Sequence, residues 1–150
     1  MQKSKIIFPE PYNWMLNDLE KSIKLAKANY LVALGLFCYS EIIGRRILKF
    51  KNKKDKNSDS FNTFVRDYMG YKKLINKYGN KIYDWFRNGL CHEYYIKGQV
   101  SGVYVVYNKK TSKQGIIISK DKTKKFLVIK PYLRDFKSGI VKFLKEIKKI

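Results

Sequence analysis

Between residues 12 and 97, apart from the stretch 51–60, the apolar positions recur every three or four residues, the period of an amphipathic helix. The first such element carries Trp14, Leu16, Leu19, Ile23 and Leu25 or Ala26, with Asn13 or Asn17 placed to cap it. NYLVALGLFCYSEIIGRRILKF, residues 29–50, is apolar nearly all round in its first half. That predicts a central helix that faces several neighbours or a partner chain. KNKKDKNSDS (51–60) has six charges and no apolar residue and reads as a solvated loop. Ser60 then caps a third helix through Phe61, Phe64, Val65 and Tyr68, breaking near Gly70. YKKLINKYGN continues helically to a stop at Gly79–Asn80, and a fourth helix runs from about Lys81 to Tyr95, ended by Gly98.

Beyond residue 100 the period changes. SGVYVVYN (101–108), GIIIS (115–119) and KFLVIK (125–130) are β-branched and aromatic runs separated by Lys, Asn, Gly and Ser. They predict a three-stranded antiparallel meander that ends at Pro131. YLRDFKSGIVKFLKEIKKI closes the chain as an amphipathic helix with Phe136, Ile140, Phe143, Leu144 and Ile147 on one stripe. The expected fold is mainly α. A four- or five-helix bundle (12–97 plus 132–149) carries a small antiparallel β-meander (100–130) inserted before the C-terminal helix, in one domain over 1–150.

Charge narrows the partners. The chain has 33 Lys+Arg against 12 Asp+Glu, a net +21, and residues 101–150 alone hold 14 basic and 3 acidic side chains. Such a field attracts polyanions, and counterion release from phosphates turns it into salt-dependent affinity. Genome composition or a hot habitat would also enrich Lys, Ile and Tyr. Cys38 and Cys91 stand far apart with no C-x-x-C pair, so zinc is not expected and a reduced, cytoplasmic setting is. The N-terminus lacks an apolar core of signal-peptide length. The longest apolar run, Tyr30 to Tyr39, is about half of the ~20 residues that span a bilayer, so no membrane partner is expected.

The chemistry concentrates in DWFRNGLCHEYYIKG (84–98), which holds the single histidine, His92. At about 100° per residue Asn88 and His92 lie about 40° apart, while Arg87 and His92 lie about 140° apart and flank a broad face. One copy cannot supply two imidazoles, but a homodimer packed about this helix brings two Arg87 and two His92 to one groove. That set suits RNA cleavage without a metal or cofactor. The ribose 2′-OH attacks, His92 moves the protons and Arg87 steadies the phosphorane, leaving a 2′,3′-cyclic phosphate, with Asn88 a third candidate catalytic residue beside them. The rival chemistries lack their motifs. The acids are scattered without a D-x-D box, HEYYI is not H-E-x-x-H because residue 96 is Ile96, and G-x-G-x-x-G, P-loop and G-x-S-x-G patterns are absent.

RNGLCHEY resembles the R-x4-6-H signature of HEPN domains, with the polar Asn88 after the Arg, and the order of helices is similar. The resemblance implies a helical bundle that dimerises around the motif and, in many members, a metal-independent endoribonuclease of host defence or of a toxin–antitoxin pair. Arg87, His92 and Tyr94 match the R-x4-H-x-Y form of toxins paired with minimal nucleotidyltransferase antitoxins, in which the Tyr is adenylylated. Tyr94 is then a modification candidate, the nucleotidyltransferase a candidate partner, and Glu41 a candidate for orienting His92. The β segment departs from compact toxins of that pairing.

Plainer roles stand beside these. Arg87 can pair with Asp84 at i−3 and Glu41 with Arg45 at i+4. Tyr94 and Tyr95 can serve as packing aromatics, Cys91 as filler, and Trp85 and Phe86 as core or dimer contacts. Arg45, Arg46, Lys97, Tyr104, Tyr107, Lys109 and Lys110 are candidate RNA contacts, the tyrosines by stacking on bases. The same lysines can instead guard edge strands from pairing. Two further functions stay open: a dimeric HEPN-type module that binds RNA or a partner without cutting, and a structural subunit that dimerises through the second helix.

Overall fold

A computed structural model describes residues 8–26, 29–93, 103–110 and 112–148, with the backbone alone at 90–93 and 103. Among these, six helices and a three-stranded sheet follow one another. α1 (Tyr12–Lys21) runs on as a π-helical segment, Ser22–Ala26, and α2 spans Asn29–Phe50. α3 (Asn57–Thr63) continues as a π-helical Phe64–Tyr68, and α4 is Lys72–Tyr78. α5 (Asn80–Ile82) leads into a third π-helical segment, Tyr83–Glu93. β1 (Val103–Val106), β2 (Ile116–Ile118) and β3 (Lys125–Val128) precede α6 (Ile129–Glu146). Among the described residues no helix is long and apolar enough to cross a membrane.

α2 is the axis of the bundle, as its all-round apolarity implies. It touches α1, α3, α6, β1 and the π-helical part of α5. Val32, Ala33, Leu36, Phe37, Ile43 and Ile47 are buried on it. Phe37 is an aromatic hub, its ring 5.6 Å from Phe61, 5.6 Å from Phe86 and 5.2 Å from Tyr132, centroid to centroid. Each such pair adds about 0.5–1.5 kcal/mol beyond the area it buries. Gly44 lets α2 and α3 touch through their backbones, since a Cβ there would lie 1.8 Å from the Ser60 carbonyl oxygen. Gly79, at φ +53°, makes the turn between α4 and α5.

The sheet is held to the bundle by buried polar contacts. The Gly115 N–H donates to the Tyr71 hydroxyl at 2.7 Å, which donates to Asp135 Oδ2 at 2.8 Å. Tyr132 and Ser40 share a hydroxyl–hydroxyl bond of 3.0 Å. α6 buries Phe136, Ile140, Phe143 and Leu144 of the stripe that its sequence implies and adds Tyr132, while Ile147, just past the helix end, is only partly buried.

Several expectations are corrected. The sheet is not an antiparallel meander: its order is β1-β3-β2, with β1 parallel to β3 and only β2 antiparallel. Strand patterns fix which side chains share a face but not which strand is the neighbour. Ser60 is not an N-cap. The polar loop is shorter than 51–60, α3 already starts at Asn57, and Ser60 is buried within it. α6 starts at Ile129 rather than after Pro131, because a proline in a helix's first turn forfeits no hydrogen bond. Trp14 and Leu25, expected on the apolar stripe of the first helix, are 60% and 82% exposed. Tyr12, Met15, Leu16 and Leu19 form the buried face instead.

Candidate functional site

The site is built where α5 crosses α2. Ile82 and Phe86 are fully buried, and Phe86 stacks on Phe37. With both neighbours locked in the core, Arg87 emerges at its edge, its side chain 18% exposed. Facing it is Glu41, a nearly buried carboxylate on α2. Arg87 Nε lies 2.5 Å from Glu41 Oε2. The same carboxylate accepts from the Tyr83 hydroxyl at 3.1 Å and, through Oε1, from Arg45 Nη2 at 2.8 Å. Tyr83 also lies beneath the Arg87 guanidinium, 5.5 Å from the ring centroid. The carboxylate therefore holds two hydrogen bonds, from Tyr83 and Arg45, and a close ion pair with Arg87, the kind of partners that burying a carboxylate requires.

The outer side of this cluster reaches the connection between α2 and α3. Arg45 Nη2 donates to Asn57 Oδ1 at 2.5 Å, and its Nε pairs with Asp55 Oδ2 at 3.2 Å. Asp55 also accepts a short hydrogen bond from Ser60. Asn88 lies beside Arg87, with long contacts of 3.4 Å to Arg87 Nη1 and to Asp84 Oδ1.

The helix type changes the spatial reading of the motif. The α-helical count sets positions 87 and 92 about 140° apart. The backbone from Tyr83 to Glu93 is π-helical, an i→i+5 ladder in which residues five apart follow by one hydrogen-bonded turn. Positions 87 and 92 therefore share a face, and positions 83 and 88 border it.

The structure thus brings Arg87, Asn88, Glu41 and Arg45 together. Glu41 meets both arginines, so the pairing with Arg45 is present and Arg87 finds its carboxylate on another helix. Only the backbone is described at His92 and Cys91. Tyr94, Tyr95, Lys97 and Gly98 lie outside the described residues, so the readings placed on them have no structural counterpart here. Arg46 is elsewhere, 5.5 Å over the ring of Tyr12. Tyr104, Tyr107, Lys109 and Lys110 belong to the sheet and the connection that follows it, and the two tyrosines are exposed. The sequence reading missed Tyr83, Asp55, Asn57 and Phe126. Only Tyr83 had a local signal, standing four residues before Arg87 on the same helix. Among the described residues no three His, Cys, Asp or Glu side chains gather to hold a metal ion.

No protein-family model, no curated protein and no solved structure matches this chain.

Proposed function

We propose that this protein is a metal-independent endoribonuclease of HEPN type, working as a homodimer that cleaves RNA by attack of the ribose 2′-OH. The observation that carries the reading is the π-helical register, which sets positions 87 and 92 on one face beside a guanidinium fixed by Glu41. A pre-oriented arginine is what a phosphorane needs, because no reorganisation is then required as its charge develops. His92 supplies the base and, from the second copy, the acid; such proton transfer contributes roughly 10²–10⁴-fold. The basic field draws in the RNA. Leu31, Cys38 and Ile42 form a row on the outer face of α2 that leads to Arg45, with Leu31 and Ile42 exposed. We assign that row to the contact with the second copy. The setting we propose is host defence or a toxin–antitoxin pair.

One observation favours a second reading, a dimeric module that binds RNA or a partner without cutting. The Glu41–Arg87 pair alone suffices to explain why an arginine stands at position 87. Incubation of labelled RNA with purified protein in excess EDTA, beside His92→Ala, separates the two. Cleavage that persists under chelation and vanishes in the variant supports the nuclease. Binding without cleavage by either protein supports the module and overturns the nuclease.

A further inference from the structure

The outer face of the sheet has no part in the Arg87 cluster. Register sets Tyr104, Phe126 and Ile117 in one row across the three strands, Tyr104 opposite Phe126 and Ile117 on its other side. The Tyr104 and Phe126 rings are stacked, with centroids 4.9 Å apart and planes at 19°. Lys109 Nζ lies 3.6 Å from the Phe126 ring centroid. The residues that alternate with this row, Val105, Ile116 and Leu127, pack on the bundle. The sheet therefore turns Val105, Ile116 and Leu127 to the bundle and carries the Tyr104–Phe126 ring pair, flanked by Ile117, on its other side. Tyr104 remains 42% exposed although it belongs to that row.

The surroundings are cationic. Residues 103–130 contain eight lysines and a single acid, Asp121. The Asp121 carboxylate is already occupied, accepting from the Ser119 hydroxyl at 2.5 Å and from the Thr123 N–H and hydroxyl at 3.0 and 2.8 Å. Beside the row is a cavity of about 490 Å³ lined by Lys109, Ser112, Lys113, Gln114 and Ile117. Arg134 holds its rim by donating to the Lys113 carbonyl at 2.7 Å.

We propose that this face is a stacking platform for single-stranded nucleic acid, with bases on Tyr104 and the Phe126 edge and phosphates on Lys109 and Lys113. Flat aromatic surface bordered by ammonium groups matches a polymer that alternates planar bases with anions. An acidic peptide would satisfy the lysines but leave the ring faces unused. A duplex hides its base faces and satisfies the rings no better. The platform is fixed to the helix that carries Arg87, because buried Lys125 on β3 lies 4.9 Å over the ring of Trp85. This deepens the nuclease reading and rests on it for RNA as the natural ligand. Stacking does not require the 2′-OH, so DNA is an equally good probe that the Arg87 and His92 chemistry cannot cut.

The test is fluorescence anisotropy with a labelled single-stranded DNA of about ten nucleotides, within the usual site size of such platforms. Tyr104→Ala should weaken binding about 5- to 150-fold, the worth of one stacked base, and Tyr104→Phe should stay within about twofold. Tyr104→Leu, which keeps the apolar bulk, should lose as much as the alanine variant. An abasic oligomer of equal length should bind wild-type protein as weakly as normal DNA binds Tyr104→Ala. Binding by Tyr104→Ala or Tyr104→Leu within about twofold of wild type overturns the platform, whatever the RNA-cleavage result. Tyr104-dependent DNA binding beside absent RNA cleavage leaves the platform standing and removes the nuclease.

Discussion

Arg87 and Glu41 come from different helices and meet at 2.5 Å, and Glu41 is the hub of that contact while Arg87 is one of its spokes. The asymmetry has a measurable consequence. Glu41→Ala leaves two guanidinium groups and the Tyr83 hydroxyl without their carboxylate, and loss of one partner of a buried ion pair costs about 3–5 kcal/mol. Arg87→Ala leaves Glu41 with Arg45 and Tyr83 and should cost about 1–3 kcal/mol. Urea unfolding of the two variants checks the order. An Arg87→Ala variant as unstable as Glu41→Ala would mean that Arg45 and Tyr83 do not hold the carboxylate.

Gly44 and Gly35 offer a paired test of how closely α2 is packed. A Cβ at Gly44 meets the Ser60 backbone at 1.8 Å, which nothing but a shift of α3 can relieve. At Gly35 the nearest atom is Leu19 Cδ2 at 3.2 Å, the end of a flexible side chain. Gly44→Ala should therefore lose about 3 kcal/mol or more by overpacking. Gly35→Ala should stay within about 1 kcal/mol of wild type, because alanine's better helix propensity offsets the tight contact. Thermal melts of the two proteins give the comparison.

α2 could be read to its last residue because its signal is local: a long apolar run bounded by polar stretches, which only a buried helix satisfies. The stripe of α6 was equally plain from Phe136, Ile140 and Phe143. What stayed hidden depends on contacts remote in sequence. Helical spacing offered Arg87 only Asp84 as a partner, and nothing local pointed to Glu41. The parallel β1–β3 pairing, the burial of Ser60 and the stacking of Phe126 on Tyr104 are likewise set by tertiary neighbours. The π-helical register was invisible for a different reason. Hydrophobic periodicity reports faces at the α-helical pitch, and an i→i+5 ladder redistributes the same residues over another face.

Alkaline titration should expose the sheet's attachment. Burial, and then the Asp135 carboxylate, raises the Tyr71 phenol well above its ordinary value, and burial does the same for Tyr132. A group whose folded pKa is raised contributes stability that is complete below its unfolded value, about 10 for tyrosine, and is lost as the pH climbs beyond it. Phenolate absorbance should thus show these two tyrosines ionising only with unfolding, and stability should decline above about pH 10. Tyr71→Phe removes the acceptor of the Gly115 N–H and the donor to Asp135, at a cost of about 1–3 kcal/mol. Full ionisation of both phenols in the folded protein would contradict their burial.

The most direct measurement is the chemistry of the ends left on RNA cut in excess EDTA. Acid–base catalysis by His92 beside a fixed Arg87 predicts a 2′,3′-cyclic phosphate on the upstream fragment and a 5′-hydroxyl on the downstream one, read by mass spectrometry, with DNA of the same sequence intact. Fragments that carry 3′-hydroxyl and 5′-phosphate ends, or cleavage that stops on chelation, would contradict it.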